Sequence, residues 1–572
     1  MLKYSYILCE RGIFMQLPNI WGQGALFAYS GLEGECTLKN SFTCTLLGDN
    51  LGLRLHMDKA CDLYVTTEEV CDIRYQIVAS DIISAEIETR GGAVYETLFL
   101  FYNQNTIIGK CRKGSVQLRM VNNADQPPYF YETSTETETE TCFSVSTQQE
   151  TAVTPEMVAQ TAAKKLAFYE ALPDVGLKDK AIEKAFYKAV SVMKSQVYSK
   201  EGQFKRNWTT PDRLPHKALW LWDSVFHSFG NRFISEALAK DSILAVLDAQ
   251  RQDGFIAHMA TPDSISDVTQ PPVLAWGIMR LFNRTKDIAL LEETYPKLRG
   301  YLKWNMENRT DKHGLYVWHV DTTSVDCRCD ESGMDNCSRF DGVKDMECID
   351  FSCFMVMEAE AMASMCEILQ NGEGPFWKAF AEELKEKINT RLWDEADGFY
   401  YDRIVANDSF HKVKSNASFL PMLAGVCSTD QAAKLVAHLD NPDTFKEAVG
   451  VPGIAKEDPT YGTDMWRGPV WLNYNYLVLE GLKKYGYIER YETFVKGIVK
   501  EVTKWYLSDG VLYEFYDPSG ATPPSRLMRK GPVIEPYNFN IRYQAIRDYG
   551  WTCTMFACII LENKHLFHSV KY

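Results

Sequence analysis

The stretch Val158-Ala159-Gln160-Thr161-Ala162-Ala163-Lys164-Lys165-Leu166-Ala167-Phe168-Tyr169-Glu170 decides the fold, because the hydrophobic period of the chain changes here. Its apolar residues recur at spacings of three and four, which places them on one face of an α-helix. About twelve further stretches downstream share this period. They lie near residues 178–198, 224–237, 240–251, 273–283, 287–307, 348–371, 375–393, 416–425, 429–439, 469–485, 488–506 and 545–562. A mainly helical domain is therefore predicted over residues 151–572.

Upstream of this stretch the period is that of β-strands. Short alternating runs, separated by Gly, Asn and Asp, occur at residues 41–47, 62–67, 95–102 and 115–121. This pattern predicts an antiparallel β-sandwich over residues 1–150. A Thr/Glu-rich segment at 132–152 closes this part, either as an exposed edge strand or as a connector. We place the domain boundary just after it.

Composition excludes several classes of partner. The chain has 572 residues, with 61 Lys and Arg against 76 Asp and Glu, a net charge of −15. A surface this acidic repels phosphate backbones and anionic lipids, so neither nucleic acid nor a membrane is an expected partner. No run of 18 apolar residues occurs, and the first residues do not read as a signal peptide. The 16 cysteines, spread without a Cys-x2-Cys pair, favour a reducing cytoplasm.

Two carboxylates stand in Gly- and aromatic-rich contexts. Asp335 lies in Glu331-Ser-Gly-Met-Asp-Asn-Cys-Ser-Arg-Phe-Asp341, and Glu514 lies in Tyr513-Glu-Phe-Tyr-Asp-Pro-Ser-Gly520. Either residue alone is more readily explained as a turn cap or as an exposed strand position. Together in one aromatic-lined pocket they would meet the need of glycosidic bond hydrolysis, which takes one acid and one base.

Two aromatic blocks supply candidate walls for such a pocket. Residues 219–227 read Leu-Trp-Leu-Trp-Asp-Ser-Val-Phe-His, and residues 465–475 read Met-Trp-Arg-Gly-Pro-Val-Trp-Leu-Asn-Tyr-Asn. A tryptophan beside a carboxylate suits a sugar, whose ring has apolar faces and whose hydroxyls need acceptors. In the alternative interpretation the tryptophans belong to the core and Asp223 caps a helix. The presence of both blocks with both acids favours a site.

Metal and cofactor sites have little support in the sequence. The histidines share no ligand spacing, and no glycine-rich phosphate loop follows a strand. Cys327, Cys329 and Cys337 form a local cluster near Asp335, which we interpret as free thiols. No cofactor and no metal are expected.

Taken together, these blocks resemble glycoside hydrolase family 63 and its mannosylglycerate hydrolase-like relatives, and more distantly the trehalases. The resemblance is carried in order by residues 220–227, 250–259, 269–272, 331–341, 466–471, 513–520 and 549–551. One departure concerns the loop after Asp335. Relatives often have Asn-Ser-Pro-Arg there, whereas this chain has Asn336-Cys337-Ser338-Arg339.

The resemblance implies an (α/α)6 barrel, often preceded by a β-sandwich, and inversion of configuration at the sugar carbon. It implies that Asp335 is the general acid and Glu514 the general base. The pKa of Asp335 is then expected to be raised, by burial or by a neighbouring carboxylate such as Glu331 or Asp341. The candidate substrate-binding residues are Trp222, Asp223, Phe226, His258, Gln270, Arg339, Trp466, Arg467, Trp471 and Trp551.

The hypothesis is an inverting, exo-acting α-glycosidase that hydrolyses α-glucosides or related short α-linked saccharides. Its partner is a small carbohydrate, and a homo-oligomer is left open. One alternative is an α-mannosidase-type hydrolase of mannosylglycerate-like compounds. An inverting phosphorylase and a non-catalytic sugar-binding protein are the others.

Overall fold

The structure is a computed structural model. It describes residues 17–47, 51–56, 61–66, 70–112, 117–122, 131–137, 140–324, 328–533 and 544–567.

Antiparallel strands form the N-terminal part, in two sheets. In chain order they are β1 Leu26–Ala28, β2 Thr43–Leu46, β3 Gly52–His56, β4 Cys61–Thr66, β5 Val70–Ala79, β6 Ile82–Thr89, β7 Val94–Asn103, β8 Thr106–Arg112, β9 Gln117–Asn122, β10 Tyr131–Glu136 and β11 Glu140–Ser146. One sheet has the order β1-β2-β3-β4-β9 and the other the order β10-β11-β8-β7-β6-β5. The Thr/Glu-rich segment thus supplies most of β10, an edge strand, and all of β11, which lies between β10 and β8. The predicted run at 115–121 begins within residues 113–116, outside the described residues.

The two sheets face each other across an apolar layer, as predicted for a sandwich. The ring of Phe27 on β1 lies 6.0 Å from that of Phe99 and 4.9 Å from that of Phe101, both on β7. Phe101 also contacts Phe42, just before β2, at 5.2 Å between ring centroids. These aromatic residues join the two sheets into one core.

α-Helices dominate the rest of the described chain, and the loops between them contain short two- and three-stranded sheets. The helices are α1 Pro155–Glu170, α2 Lys180–Ser195, α3 Leu221–Asn231, α4 Glu236–Asp248, α5 Leu274–Thr285, α6 Ile288–Asn308, α7 Ile349–Leu369, α8 Gly374–Leu392, α9 Leu420–Ala424, α10 Thr429–Asp440, α11 Leu472–Lys484, α12 Ile488–Asp509 and α13 Gly550–Glu562. Each helix from α2 onward corresponds to one of the predicted stretches. Helix α1 lies apart from them and packs through Val158 and Leu166 on the outer face of the six-stranded sheet.

The twelve helices α2–α13 form two concentric rings. Alternate helices α3, α5, α7, α9, α11 and α13 contact one another in this order, and α13 returns to α3, which closes the inner ring. The inner helices α3 and α13 are buried almost all round, whereas the outer helix α12 buries one face only. These observations confirm the predicted (α/α)6 barrel preceded by antiparallel sheets.

The sandwich is joined to the barrel just ahead of α13. The carboxylate of Asp548 accepts hydrogen bonds from the backbone N–H of Leu26 at 2.8 Å and of Leu512 at 3.1 Å. The Nζ atom of Lys188 on α2 lies 2.6 Å from the same carboxylate, and both side chains are buried. A fully buried pair of this kind fixes the start of α13 relative to β1. Among the described residues, the strands of the two N-terminal sheets end at Ser146 and the first helix begins at Pro155. The domain boundary near residue 150 stays a prediction.

In the part of the chain that the structure describes, none of the helices has both the length and the apolar character needed to cross a membrane.

Candidate active site

A cavity opens to solvent at the N-terminal ends of the inner helices, with about 400 Å³ of empty space when the solvent at its mouth is included. Trp220, Trp471 and Tyr549 line it, and they are the N-cap residues immediately before α3, α11 and α13. The positive ends of three helix dipoles are therefore directed at this region. The remaining lining residues come from loops and first helical turns: His216, Trp222, Asp223, Gln270, Gly333, Asp335, Met465, Trp466, Glu514, Arg529 and Trp551.

Asp335 reaches the cavity from a loop between α6 and α7. Its backbone carbonyl accepts a hydrogen bond from the N–H of Arg328 at 3.0 Å, which holds the loop closed. Its Oδ2 atom lies 2.7 Å from Nζ of Lys530, and its side chain is 22% exposed. The sequence suggested Glu331 or Asp341 as carboxylate neighbours, but these pair with Arg309 and Arg467. The charged group in contact with Asp335 is thus a cation.

Glu514 reaches the cavity from the loop between α12 and α13. Its backbone N–H donates to the carbonyl of Ile546 at 2.9 Å, and the N–H of Ile546 donates to Oε2 of Glu514 at 3.2 Å. The hydroxyl of Thr552 donates to the carbonyl of Glu514 at 3.2 Å. Arg529 pairs with the carboxylate at 2.8 Å, and both side chains are almost fully buried. Glu514 is therefore fixed from three directions.

One loop supplies both cations. The N–H of Met465 donates to the carbonyl of Met528 at 3.1 Å, and the N–H of Lys530 donates to Oδ1 of Asp464 at 2.8 Å. Met465 and Lys530 both have a positive φ, 49° and 59°, which is costly for residues with a side chain. Two residues with a strained backbone lie where these two segments meet. The hydrogen bonds between the segments therefore hold the loop in place.

Tryptophans form the wall of the cavity. Trp466 stacks on Trp471 with ring centroids 4.2 Å apart and an angle of 1° between the planes. Trp551 meets Trp471 at 5.4 Å and Trp222 at 5.6 Å, in both cases edge to face. Gly333 lies flat against Trp222, because a Cβ atom there would be 2.2 Å from Cζ2 of the indole. The ring positions are thus fixed by mutual packing.

Four buried polar atoms on these lining residues have no hydrogen-bond partner among the described residues. They are Oδ1 of Asp223 and the indole nitrogens of Trp220, Trp466 and Trp551. Burial, followed by the charges of Asp212 and Glu514, raises the pKa of Asp223 well above its usual range. Native proteins rarely leave such atoms unsatisfied. One acceptor and three donors around an apolar wall are the groups that a sugar's hydroxyls and ring would satisfy.

The structure brings together eight of the twelve residues proposed from the sequence. The two acids line the cavity with Trp222, Asp223, Gln270, Trp466, Trp471 and Trp551. Gln270 also supports the cavity wall, since its Oε1 atom accepts a hydrogen bond from the backbone N–H of Trp222 at 3.2 Å. The other four residues stand behind this lining.

Phe226 and His258 support two of the tryptophans. Phe226 packs edge to face on Trp222 at 5.7 Å, and His258 does the same on Trp220 at 5.0 Å. The Nδ1 atom of His258 lies 2.6 Å from the hydroxyl of Ser266. Neither ring is among the cavity-lining side chains.

Arg339 and Arg467 hold the loop that carries Asp335. Arg339 is fully buried and forms two-pronged hydrogen bonds with Asp350 and Asp402, at 2.7–3.0 Å. Arg467 pairs with Asp341 at 2.7 and 2.9 Å and donates to the carbonyl of Asn336 at 2.8 Å. The guanidinium N–H donors of both arginines are used in these contacts within the protein. Both arginines are therefore placed to position the loop, whereas the sequence analysis expected them to contact the sugar.

Sequence reasoning did not select His216, Arg529, Lys530 or Tyr549. His216 contacts Asp212 through Nδ1 at 2.7 Å, and its Nε2 atom lies 3.5 Å from a guanidinium nitrogen of Arg529. Burial, with the nearby charges of Asp223 and Glu514, raises the pKa of Tyr549. Arg529 and Lys530 lie in no recognisable sequence motif. The one feature of the sequence that could have pointed to them is that they are adjacent in a Gly/Pro-rich loop.

Two groups of possible metal ligands occur in the described part of the chain, and a protein cation contacts each. Arg391 donates to Glu347 of the group Asp311, His313 and Glu347, at 2.8–3.1 Å. Arg339 binds the carboxylates of the group Cys348, Asp350 and Asp402. Cys329 and Cys337 are buried, and burial raises the pKa of the Cys337 thiol to about 12. Cys327 lies outside the described residues.

Residues 215–552 match the family described as "Mannosylglycerate hydrolase MGH1-like glycoside hydrolase domain". This range is more than half of the chain and contains every cavity-lining residue. The chain belongs to this family of glycoside hydrolases. The family therefore agrees with the resemblance seen in the sequence motifs.

Three relatives illustrate the match. An uncharacterized protein of Borreliella burgdorferi is 28% identical over 219 residues, 38% of this chain and 43% of that protein. The mannosylglycerate hydrolase MGH1 of Selaginella moellendorffii is 24% identical over 399 residues, 54% of this chain and 78% of the relative. The mannosylglycerate hydrolase of Rubrobacter radiotolerans is 29% identical over 411 residues, 55% of this chain and 89% of the relative. The chain thus spans less than half of the first relative's length and most of the other two.

Solved structures share the fold. A mannosylglycerate hydrolase of glycoside hydrolase family 63 from Thermus thermophilus superposes with a TM-score of 0.53 at 20% identity, covering 65% of this chain and 99% of that one. A neutral trehalase from Saccharomyces cerevisiae gives a TM-score of 0.51 at 17% identity, covering 72% and 85%. At these identities the likeness supports the barrel and nothing finer.

Proposed function

We propose that this chain is an inverting, exo-acting α-glycosidase that hydrolyses short α-linked glycosides, with Asp335 as the general acid and Glu514 as the general base. The observation that carries the proposal is one cavity shared by two carboxylates that are 179 residues apart in sequence. Inverting hydrolysis needs two such groups, one to protonate the leaving oxygen and one to activate water.

The environments of the two acids suit different roles. Glu514 is buried, and its carboxylate is held by Arg529 and by the N–H of Ile546, which gives a fixed position to a group that accepts a proton from water. Asp335 is the more exposed of the two, at 22%, which allows it to exchange protons with solvent between turnovers. We therefore assign the base role to Glu514 and the acid role to Asp335.

The lining of the cavity favours a short substrate. The tryptophan wall offers stacking surface for a single ring, and Asp223 offers an acceptor for its hydroxyls. Mannosylglycerate is the first substrate to test, because the matched family and two of the relatives carry its name. Short α-glucosides are the second.

The experiment measures hydrolysis of α-mannosylglycerate and of a panel of α-glucosides by the wild type, Asp335→Asn and Glu514→Gln. General acid–base groups contribute about 10²–10⁴-fold, so each variant should lose activity by that factor while it keeps the wild-type circular dichroism spectrum. Glu367→Gln is the control, because Glu367 forms a surface pair with Lys378 and is 60% exposed. Undiminished turnover in either site variant would refute the assignment.

Proton NMR of the first product identifies the stereochemistry. Inversion releases the β-anomer from an α-glycoside, and early appearance of the α-anomer would instead mean retention. Running the assay with and without phosphate separates hydrolysis from phosphorolysis. Binding of sugars without turnover on any substrate would favour the non-catalytic alternative.

A further inference from the structure

Backbone hydrogen bonds join the loop that carries Glu514, which we call the base loop (residues 510–514), to the segment that leads into α13. The N–H of Glu514 donates to the carbonyl of Ile546 at 2.9 Å, and the N–H of Tyr549 donates to the carbonyl of Leu512 at 3.3 Å. The N–H of Ile546 also donates to Oε2 of Glu514 at 3.2 Å. The position of this carboxylate therefore depends on the segment that leads into α13.

The buried carboxylate of Asp548 holds both of these segments. Its Oδ1 atom accepts a hydrogen bond at 3.1 Å from the N–H of Leu512, two residues before Glu514. Its Oδ2 atom accepts one at 2.8 Å from the N–H of Leu26 on β1, and the same oxygen lies 2.6 Å from Nζ of Lys188 on α2. One side chain thus connects the base loop to the sandwich and to an outer helix of the barrel.

The backbone of Asp548 is held in a conformation that residues with a side chain seldom adopt. Its φ is 56°, in the left-handed region. Its carbonyl accepts a hydrogen bond at 2.8 Å from Nε2 of Gln196, which follows α2. Strained residues persist only where the surrounding structure over-determines them. The contacts of Asp548 therefore impose the shape of the segment next to Tyr549, which lines the cavity.

A second contact between the sandwich and the base loop lies close to the first. Gly22, shortly before β1, packs against Gly510, which directly follows α12. A Cβ atom at Gly22 would lie 2.2 Å from the carbonyl oxygen of Asp509, and one at Gly510 would lie 2.9 Å from the nitrogen of Gly22. The guanidinium of Arg547 donates to the carbonyl of Gln23. The two chain segments therefore meet backbone to backbone, with no room for a side chain between them.

Only one side of this contact lies within the part of the chain that matches the family. The match begins at residue 215, whereas Gly22, Leu26 and Lys188 precede it. Asp548 and the base loop lie inside the match. The hold on the base loop is therefore supplied by an N-terminal part that the matched domain does not include.

We propose that the N-terminal sandwich belongs to the catalytic unit, because its first strand holds the base loop through Asp548 and thereby positions Glu514 as the general base. Asp548 is a positioning residue in this arrangement, since it is not among the residues that line the cavity. The inference rests on the proposed function, because it concerns the residue to which we assign the base role.

The placement of Glu514 matters because the base has to hold water in line with C1 of the sugar. Reacting atoms need to lie about 3–3.5 Å apart, and a misplacement of about 1 Å can cost about 100-fold in rate. Loosening the hold on the base loop should therefore lower kcat. The tryptophans that face the sugar pack on one another, so KM should change little.

The test uses two variants that disturb the contact from different sides. Asp548→Asn combined with Lys188→Met removes both charges of the buried pair, so that neither charge is left alone. Gly22→Ala leaves the pair intact and presses on the base loop. Lys180→Met is the control on α2, at a 54% exposed lysine. Gly91→Ala is the control in the sandwich, where a Cβ atom would meet only a hydroxyl at 3.8 Å.

Both variants should have a kcat about 10- to 100-fold below the wild type, with KM close to the wild-type value, while the controls keep both constants. The substrates are α-mannosylglycerate, short α-glucosides, and α-mannosyl and α-glucosyl fluoride. In the fluorides water replaces fluoride at C1 while Glu514 takes a proton from the water, and fluoride leaves without a proton from Asp335. The two variants should therefore lose the same factor on a fluoride as on a glycoside, whereas Asp335→Asn should lose much less on the fluoride.

Circular dichroism and thermal unfolding define a temperature at which each variant is fully folded, and the kinetics are measured there. Wild-type kcat in a folded Gly22→Ala or in the folded double variant would overturn the inference, because the contact would then serve stability alone. A loss seen on glycosides but absent on the fluorides would overturn it as well, since the defect would lie with the acid. A wild type that hydrolyses neither fluorides nor glycosides would instead refute the proposed function, so the two failures are distinguishable.

Discussion

The Nε atom of Arg529 lies 2.8 Å from Oε2 of Glu514, and the two side chains are 3% and 1% exposed. The pair is thus sealed from solvent on the wall of the cavity, where screening is weak. A second hydrogen bond, from the N–H of Ile546 at 3.2 Å, reaches the same carboxylate oxygen. Together these contacts fix the position of the carboxylate to which we assign the base role.

Replacing Arg529 by Met should lower the free energy of unfolding by about 3–5 kcal/mol, because it leaves the buried carboxylate of Glu514 without its ion-pair partner. The same change should lower kcat/KM, because Arg529 holds Glu514 in place. The measurements are steady-state kinetics and chemical denaturation. Arg526→Met, at an exposed arginine of the same loop, is the control. Unchanged kcat/KM and stability in Arg529→Met would contradict the role of Arg529.

Gly333→Ala should cost both stability and activity, because the new Cβ would lie 2.2 Å from Cζ2 of Trp222. Gly342 offers a matched control, since its φ of 71° nearly equals the 70° of Gly333 but a Cβ there meets nothing within 4 Å. Gly342→Ala should therefore lower the free energy of unfolding only by the cost of a positive φ in a residue with a side chain, about 1–2 kcal/mol. Thermal unfolding and kcat/KM of both variants test this, and equal losses would mean that the contact with Trp222 is unimportant.

Much of the fold could be predicted from the sequence because helices and strands follow from the local spacing of apolar residues. The stretch at 155–170 and the helices after it follow a 3.6-residue repeat, and each predicted helix has a counterpart in the structure. The acids and tryptophans could be proposed because they lie in recognisable blocks. Their common cavity follows from the closure of the inner ring, which brings together residues far apart in the chain.

Side-chain partners could not be predicted in the same way. Arg339 looked like a sugar ligand because it follows Asp335 in the motif, yet its donors are used by Asp350 and by Asp402, which lies 63 residues further along the chain. Lys530 and Arg529 carry no pattern, and their positions depend on pairing between the segments that contain Met465 and Met528. Hydrogen bonds between distant segments decide which polar residues face a ligand, and local sequence does not record them.

Asp223→Asn should remove a pH-dependent loss of stability. Burial raises the pKa of Asp223, so the folded protein keeps a proton that the unfolded chain releases above about pH 4. Wild-type stability contributed by this group is therefore complete at low pH and falls as pH rises toward the folded pKa. The difference in Tm between Asp223→Asn and wild type should grow in favour of the variant from pH 5 to 8.

Asp223→Ala should lower kcat/KM at least about 10-fold, because the cavity then lacks the hydrogen-bonding group that Asp223 offers to a sugar hydroxyl. Asp253→Asn is the control at an exposed carboxylate, which pairs with Arg251. Parallel curves of Tm against pH for the wild type and Asp223→Asn would show that the buried carboxyl has no effect on stability.

Arg339→Lys should lower stability and kcat together, although the charge is kept. The guanidinium makes four hydrogen bonds of 2.7–3.0 Å to two carboxylates inside the protein, and an ammonium group cannot reproduce this planar geometry. A buried carboxylate left short of partners should cost about 3–5 kcal/mol. Because Arg339 anchors the loop that holds Asp335, kcat should fall more than KM changes.

Arg403→Lys provides the comparison for this substitution. Arg403 pairs with Asp408, whose side chain is 57% exposed, so the exchange there should cost at most about 1 kcal/mol. Chemical denaturation and steady-state kinetics on both variants measure the difference. If Arg339→Lys changed KM tenfold with kcat and stability intact, Arg339 would be a substrate contact after all, as the motif had suggested. Loss of stability with reduced kcat would fit a residue that positions the acid through its loop.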